Sequence, residues 1–184
     1  MPGRVAIFID GAYLEYILRE EFSNSRINFQ ALSEELAGGS DILRSYYYHC
    51  PAYQSDPPTE DERRRYSNQR RFFEALEQLP RYSVRLGRLA RRGPDEYGKY
   101  RFEQKRVDIL LGVDMVLLAA KQSIQEAVLV AGDSDFIPAV SVAKSEGVLV
   151  RLFHGQNPHS DLWREADERI PITQELIDSV LLTQ

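Results

Sequence analysis

The chain has 184 residues, of which 43% are hydrophobic and 28% charged, with a formal net charge of -5 and one cysteine, Cys50. That length suits a single ordinary domain with its own core. A lone cysteine excludes an intrachain disulfide and points to a reducing, cytoplasmic compartment, and no apolar run reaches the length of a membrane span. The acidic balance taken alone argues against a polyanionic partner, but the charge is unevenly spread. Residues 63–106 hold fourteen Lys and Arg against five Asp and Glu, which leaves the rest of the chain at -14. A strongly basic segment on an acidic body binds polyanions locally while the body stays soluble.

In chain order, residues 4–9 form a short apolar, partly β-branched run that predicts a central strand, ended by Asp10-Gly11. Residues 12–18 have helical spacing, and Asn28 or Ser33 starts a second helix closed by Gly38-Gly39. An aromatic strand is predicted over 42–49, broken by Cys50-Pro51, and a loop over 55–59 leads into a long amphipathic helix over 59–79. Residues 82–89 alternate like a half-buried strand, and 91–101 read as a basic loop or hairpin, so that a basic insertion is expected around 82–103. A helix over 104–121, a buried strand over 126–131, a helix over 134–145 and a buried strand over 148–153 follow. A loop over 154–159 flanked by His154 and His159, a short helix around 162–166 with Trp163 in the core, an edge segment Ile170-Pro171-Ile172 and a final helix around 173–182 complete the chain. Apolar strands alternating with helices define an α/β fold: a mainly parallel central sheet of about five to six strands, covered by helices on both faces, in one domain spanning 1–184.

Function in such a sheet gathers beyond the carboxyl ends of the strands, where the strand order reverses. With the order 3-2-1-4-5, Asp10 at the end of the first strand and Asp133 and Asp135 after the fourth flank that point. The helix preceding the fourth strand begins at the same edge and brings Asp108 close; Asp114 lies six residues on, roughly 9 Å further along the axis and about 120° around it. Each acid alone has an ordinary use, as a helix cap or a turn residue. Together they cannot all stay ionised unless cations join them or their pKa values rise. Without a Cys and His cluster for zinc, the expected cation is a hard one, Mg²⁺ or Mn²⁺.

Three motifs carry a family resemblance: Phe8-Ile9-Asp10-Gly11, Lys105-Arg106-Val107-Asp108 followed by Asp114, and Ala131-Gly132-Asp133-Ser134-Asp135-Phe136. In this order they resemble the signature of NYN domains, in the LabA-like branch of the PIN-like nucleases. The resemblance implies a Rossmann-like PIN fold that binds Mg²⁺ or Mn²⁺ through these aspartates and hydrolyses RNA by a metal-activated water, leaving a 5′-phosphate and a 3′-hydroxyl. By position, Asp10, Asp133 and Asp135 match the ligands at the strand ends. The helix ligand is either Asp108, favoured by the Lys-X-Val-Asp motif of this branch, or Asp114, favoured by its distance to Asp133. One departure is plain: many relatives carry Asn three residues after the first Asp, where this chain has Tyr13.

The partner expected is RNA, single-stranded or structured. Arg85, Arg88, Arg91, Arg92, Lys99, Arg101 and Arg106 are candidates for its phosphates, with Ser134 beside the acids and Tyr97 and Tyr100 available to stack on bases. Lys105 either joins them or neutralises the acidic pocket. The alternative reading is an NYN-fold RNA-binding or regulatory module with little or no turnover. A haloacid-dehalogenase-like phosphatase would need a second acid two residues after Asp10, where the chain has Ala12. Self-association is left open.

Overall fold

The computed structural model describes residues 3–94, 96–98 and 100–182, and within them not the side chains of Arg92, Arg101, Glu103, Gln104 and Lys105. Strand β1, Arg4–Asp10, sends Val5, Ile7 and Ile9 to one side and Ala6 and Phe8 to the other, all of them fully buried. This is the period of two expected of a strand covered on both faces. Helix α1, Gly11–Glu21, starts without a connecting loop, and α2, Phe29–Ala37, comes next, capped by the Asn28 side chain and closed by Gly38 in the left-handed conformation. Strand β2 is Asp41–His49, and α3, Glu60–Glu77, opens with a reciprocal capping box between Thr59 and Glu62.

Strand β3, Tyr82–Leu86, is followed by an antiparallel ribbon of β4, Arg88–Pro94, and β5, Tyr100–Lys105. Helix α4, Val107–Ala120, then leads into β6, Glu126–Val130. A single 3-10 turn, Ser134–Phe136, runs into α5, Ile137–Ser145. The chain ends with β7, Leu149–His154, α6, Ser160–Glu165, β8, Glu168–Pro171, and α7, Gln174–Ser179.

Six strands form one parallel sheet in the order β3-β2-β1-β6-β7-β8. The order reverses between β1 and β6. Helices α1, α2, α3 and α7 cover one face, with Leu14, Ile17, Leu36, Phe73 and Ile177 in a core around Tyr47. Helices α4, α5 and α6 cover the other, with Leu111, Met115, Val140 and Leu162 in a second core around Phe8 and Tyr48. The expected α/β class, helix layers and strand order are those observed.

Three expectations need correction. Residues 82–89 do not form one strand: the Gly87 N–H donates to the His49 carbonyl at 2.8 Å, the last rung against β2, because Cys50-Pro51 ends β2 there. From Arg88 the chain belongs to the separate ribbon. The helix expected from 104 begins only at Val107, since Gln104 and Lys105 pair with Leu89 and Arg88 in the ribbon, and Arg106, at φ 76°, makes the turn between ribbon and helix. Trp163 is not a core residue. Six-residue α6 turns Leu162 inward, which leaves Trp163 42% exposed on its outer side, with the Arg169 guanidinium 5.0 Å from its ring centroid.

Candidate active site

Four carboxylates are placed along the edge where the strand order reverses. Asp10 is the last residue of β1, Asp133 and Asp135 come after the adjacent β6, and Asp108 lies in the first turn of α4, whose C-terminal end feeds β6. Asp10 is also the N-cap of α1: its Oδ1 accepts the Tyr13 N–H at 3.2 Å. Burial pushes the Asp10 carboxyl up to about 6; the Tyr13 N–H opposes this, the Asp108 charge adds to it, and His49 offsets part of it. Asp108 is raised as well, by burial first and then by the charges of Asp133 and Asp135. Asp108 thus feels the charges of Asp133 and Asp135 and adds its own to Asp10. Asp133 is fixed by local bonds, since its Oδ1 accepts the Asp135 N–H at 3.2 Å and lies 3.4 Å from the Ser134 hydroxyl.

Asp114 is engaged elsewhere. Its Oδ2 accepts the Tyr48 hydroxyl at 2.9 Å and pairs with Arg85 Nε at 3.2 Å. Six residues beyond Asp108 along α4, it faces the β2 side of the sheet and acts as counter-ion to an arginine that also lies 5.5 Å from the Tyr46 ring. The structure brings Asp108, not Asp114, into the group of acids.

The donor set suits a hard divalent cation: every candidate is a carboxylate, and a dication would offset both the burial and the like charge that raise Asp10 and Asp108. The spacing is more open than the chemistry. Among the described residues no three His, Cys, Asp or Glu side chains converge closely enough to hold a metal ion as they stand.

Two features of this edge escaped sequence reasoning. Tyr13 lies across the turn that carries the acids: a Cβ added to Gly132 would fall 2.3 Å from Cε2 of the Tyr13 ring, and the Tyr13 hydroxyl accepts the Gly155 N–H at 2.8 Å. One side chain thus links the turns after β1, β6 and β7, and only glycine fits beneath it. The second is the pairing of His49, at the end of β2, with Glu15 on α1. His49 Nε2 lies 3.1 Å from Glu15 Oε2, and the Tyr47 hydroxyl donates to Glu15 Oε1 at 3.2 Å. Burial lowers the His49 pKa, but the Glu15 carboxylate outweighs it and holds His49 above its ordinary value. The available signal was a histidine two residues past Tyr47 at a strand end. His154 is a buried residue bonded to the Gly155 carbonyl, and His159 caps α6.

The basic candidates divide by position. Arg88 and Arg91 are exposed on β4, and Arg106 is exposed where the ribbon meets α4, two residues before Asp108. Arg85 is already paired with Asp114. Lys99 and the side chains of Arg92, Arg101 and Lys105 lie outside the described residues. Ser134 sits between the two acids of the turn.

A doubly wound parallel sheet whose reversal point is lined by aspartates from β1, α4 and the β6 turn defines an α/β protein with an acidic carboxyl edge. The NYN domain family model matches residues 4–173, and the chain belongs to that family, which is one of PIN-like nucleases. No curated protein matches the sequence. A solved structure of a protein of unknown function from Vibrio parahaemolyticus is similar over 98% of this chain and 97% of that one, with a TM-score of 0.68 and 20% identity. At that identity the likeness bears on the fold alone. Among the described residues no helix is long and apolar enough to cross a membrane.

Proposed function

We propose that this NYN domain, of the LabA-like branch, is a Mg²⁺- or Mn²⁺-dependent ribonuclease that hydrolyses phosphodiester bonds in single-stranded or structured RNA. The observation that carries the reading is the placement of Asp10, Asp108, Asp133 and Asp135 along the reversal edge of the sheet, where burial first and like charge second hold Asp10 and Asp108 above their ordinary range. Such perturbed acids at a sheet edge are costly to keep without a function.

Asp10, Asp108, Asp133 and Asp135 would hold the cation, and when bound it would supply Lewis-acid activation of a water and charge stabilisation at the leaving oxygen. The chain's own residues do the rest. The Tyr13 N–H orients Asp10, the Asp135 N–H orients Asp133, and Tyr13 packed on Gly132 fixes the turn between them. Arg88 and Arg106, exposed where the ribbon begins and where it passes into α4, are placed to meet phosphates on the way to the acids, while Arg91 is held against the Tyr53 and Tyr100 rings.

The test is cleavage of end-labelled RNA with Mn²⁺ by wild type and Asp133→Asn. Cleavage by the first and not the second supports the reading; equal cleavage assigns the activity to a contaminant. A second reading, an RNA-binding module without turnover, is favoured by one observation, the Tyr13 ring filling the space above Gly132. It predicts RNA binding by wild type with no Mn²⁺-dependent products.

A further inference from the structure

The β4–β5 ribbon carries an aromatic face that the core does not cover. In the ribbon Arg91 stands opposite Phe102, and Pro94 opposite Tyr100, so Arg91, Phe102 and Tyr100 share one face. Leu89 lies on the same face, two residues before Arg91, and packs against the core beneath α4. The apolar stripe that anchors the base of the ribbon therefore continues past the edge of the core. There Phe102 and Tyr100 remain 47% and 48% exposed. Tyr53, from the loop between β2 and α3, flanks them with its ring centroid 4.9 Å from that of Phe102. The Arg91 guanidinium lies 3.4 Å from the Tyr100 ring centroid and 5.8 Å from that of Tyr53, and donates to the Tyr53 hydroxyl at 3.3 Å.

From this juxtaposition we propose that Tyr53, Arg91, Tyr100 and Phe102 form a stacking platform for unpaired bases, which selects single-stranded over duplex nucleic acid. Cleavage of the bound strand rests on the nuclease reading; binding itself does not. Three features favour a nucleic-acid strand over a protein partner. The aromatic faces alternate with a guanidinium, a planar cation that stacks on bases as it does on Tyr100. The stretch that contains the ribbon, residues 82–106, carries eight basic against three acidic side chains on an otherwise acidic chain, the complement of a polyphosphate. The ribbon also ends at Arg106 and passes directly into Val107-Asp108, so a strand lying along it is led to the acidic edge. Bases paired in a duplex present no open face to such a platform; unpaired bases do.

The experiment measures binding and cleavage separately. Fluorescence anisotropy in EDTA compares a twelve-nucleotide single-stranded RNA with the corresponding blunt duplex, for wild type, Tyr100→Ala/Phe102→Ala, the ring-preserving Tyr100→Phe, and Arg88→Gln. Cleavage with Mn²⁺ is read on the same proteins, and circular dichroism melting checks the fold. The double alanine variant should lose roughly ten- to hundred-fold in single-strand affinity, as expected when base stacking is removed, with duplex affinity and the salt slope unchanged. Tyr100→Phe should bind like wild type, whereas Arg88→Gln should flatten the salt dependence for both ligands. Equal losses for single strand and duplex would overturn the platform, as would undiminished single-strand affinity in the double variant. A concentration-dependent dimer that the double variant abolishes would overturn it in favour of a self-association surface. Selective binding without Mn²⁺-dependent products would leave the platform standing and defeat the nuclease reading. Failure of wild type to bind either RNA would overturn the platform, and the nuclease reading would then stand or fall on the Mn²⁺ cleavage alone.

Discussion

The carboxyl edge of the sheet and the β4–β5 ribbon bear opposite charge and are built in opposite ways. At the edge, two buried strands converge with the first turn of α4, and two of the acids are held by backbone N–H groups: Asp10 by Tyr13 at the end of β1, Asp133 by Asp135 in the turn after β6. In the ribbon, two strands outside the main sheet carry arginines and half-exposed rings with little behind them. The difference teaches that chemistry needing fixed charge sits on the rigid scaffold, while a surface that takes variable strands stands beside it. It also separates the consequences of mutation. Changes at the edge should alter turnover and stability together, and changes in the ribbon should alter binding alone.

The largest expected effect breaks the comparison at Asp10. Loss of one carboxylate that stabilises transition-state charge is expected to slow Mn²⁺-dependent cleavage by roughly a thousand-fold, the equivalent of several kcal/mol. The same substitution should stabilise the fold. Asp10 is held at about 6 against an ordinary 3.8, so the folded state binds the proton more tightly than the unfolded chain and stability falls as pH rises through that window. At pH 8 Asp10→Asn should therefore be more stable than wild type by up to about 3 kcal/mol. The two proteins should converge near pH 4, as thermal melts across pH will show. Added Mn²⁺ should raise the melting temperature of wild type more than that of the variant. A variant less stable than wild type at pH 8 would mean that the Asp10 cap outweighs the cost of its charge.

The Tyr13–Gly132 contact is next in size. Gly132→Ala forces the ring away from a backbone it touches, and overpacking of this kind costs about 1–3 kcal/mol. Tyr13→Phe keeps the ring but leaves the buried Gly155 N–H without its acceptor, for a loss of about 1–2 kcal/mol. Denaturant titration measures both. If Tyr13 positions the acids, Gly132→Ala should also lower kcat, whereas a purely structural contact would leave kcat intact in the folded fraction. The smallest effect is expected from breaking the Arg85–Asp114 pair. Arg85 is partly exposed, and Arg85→Gln should cost no more than about 1 kcal/mol in the same titration while leaving the cleavage rate near wild type.

The fold was legible because its strands are apolar on both faces and separated by helices of ordinary length; residues 4–9 and 126–131 announce a parallel sheet. The placement of Asp10, Asp133 and Asp135 at one edge was legible for the same reason, since strand ends and strand order put them there, whereas the choice between Asp108 and Asp114 on the helix stayed open. What escaped depends on partners distant in sequence. The bond from Tyr48 and the pairing with Arg85 that occupy Asp114 join three different elements, and α4 gives no local sign of either. The break at Gly87 is set by where the neighbouring β2 ends, not by residues 82–89 themselves. Tyr13, a departure when read as the replacement of a small amide, gains its role from Gly132 and Gly155, more than a hundred residues away. Trp163 was misread because a large apolar residue in a six-residue helix reveals little about which side faces the sheet.

The most direct test of the proposed site is single-turnover cleavage of a labelled single-stranded RNA in Mn²⁺ by wild type, Asp108→Asn and Asp114→Asn side by side. The placement of Asp108 with Asp10, Asp133 and Asp135 at the reversal edge predicts that Asp108→Asn loses cleavage while Asp114→Asn, deprived only of its charge on Arg85, retains it. Retention by Asp108→Asn with loss in Asp114→Asn would contradict the account.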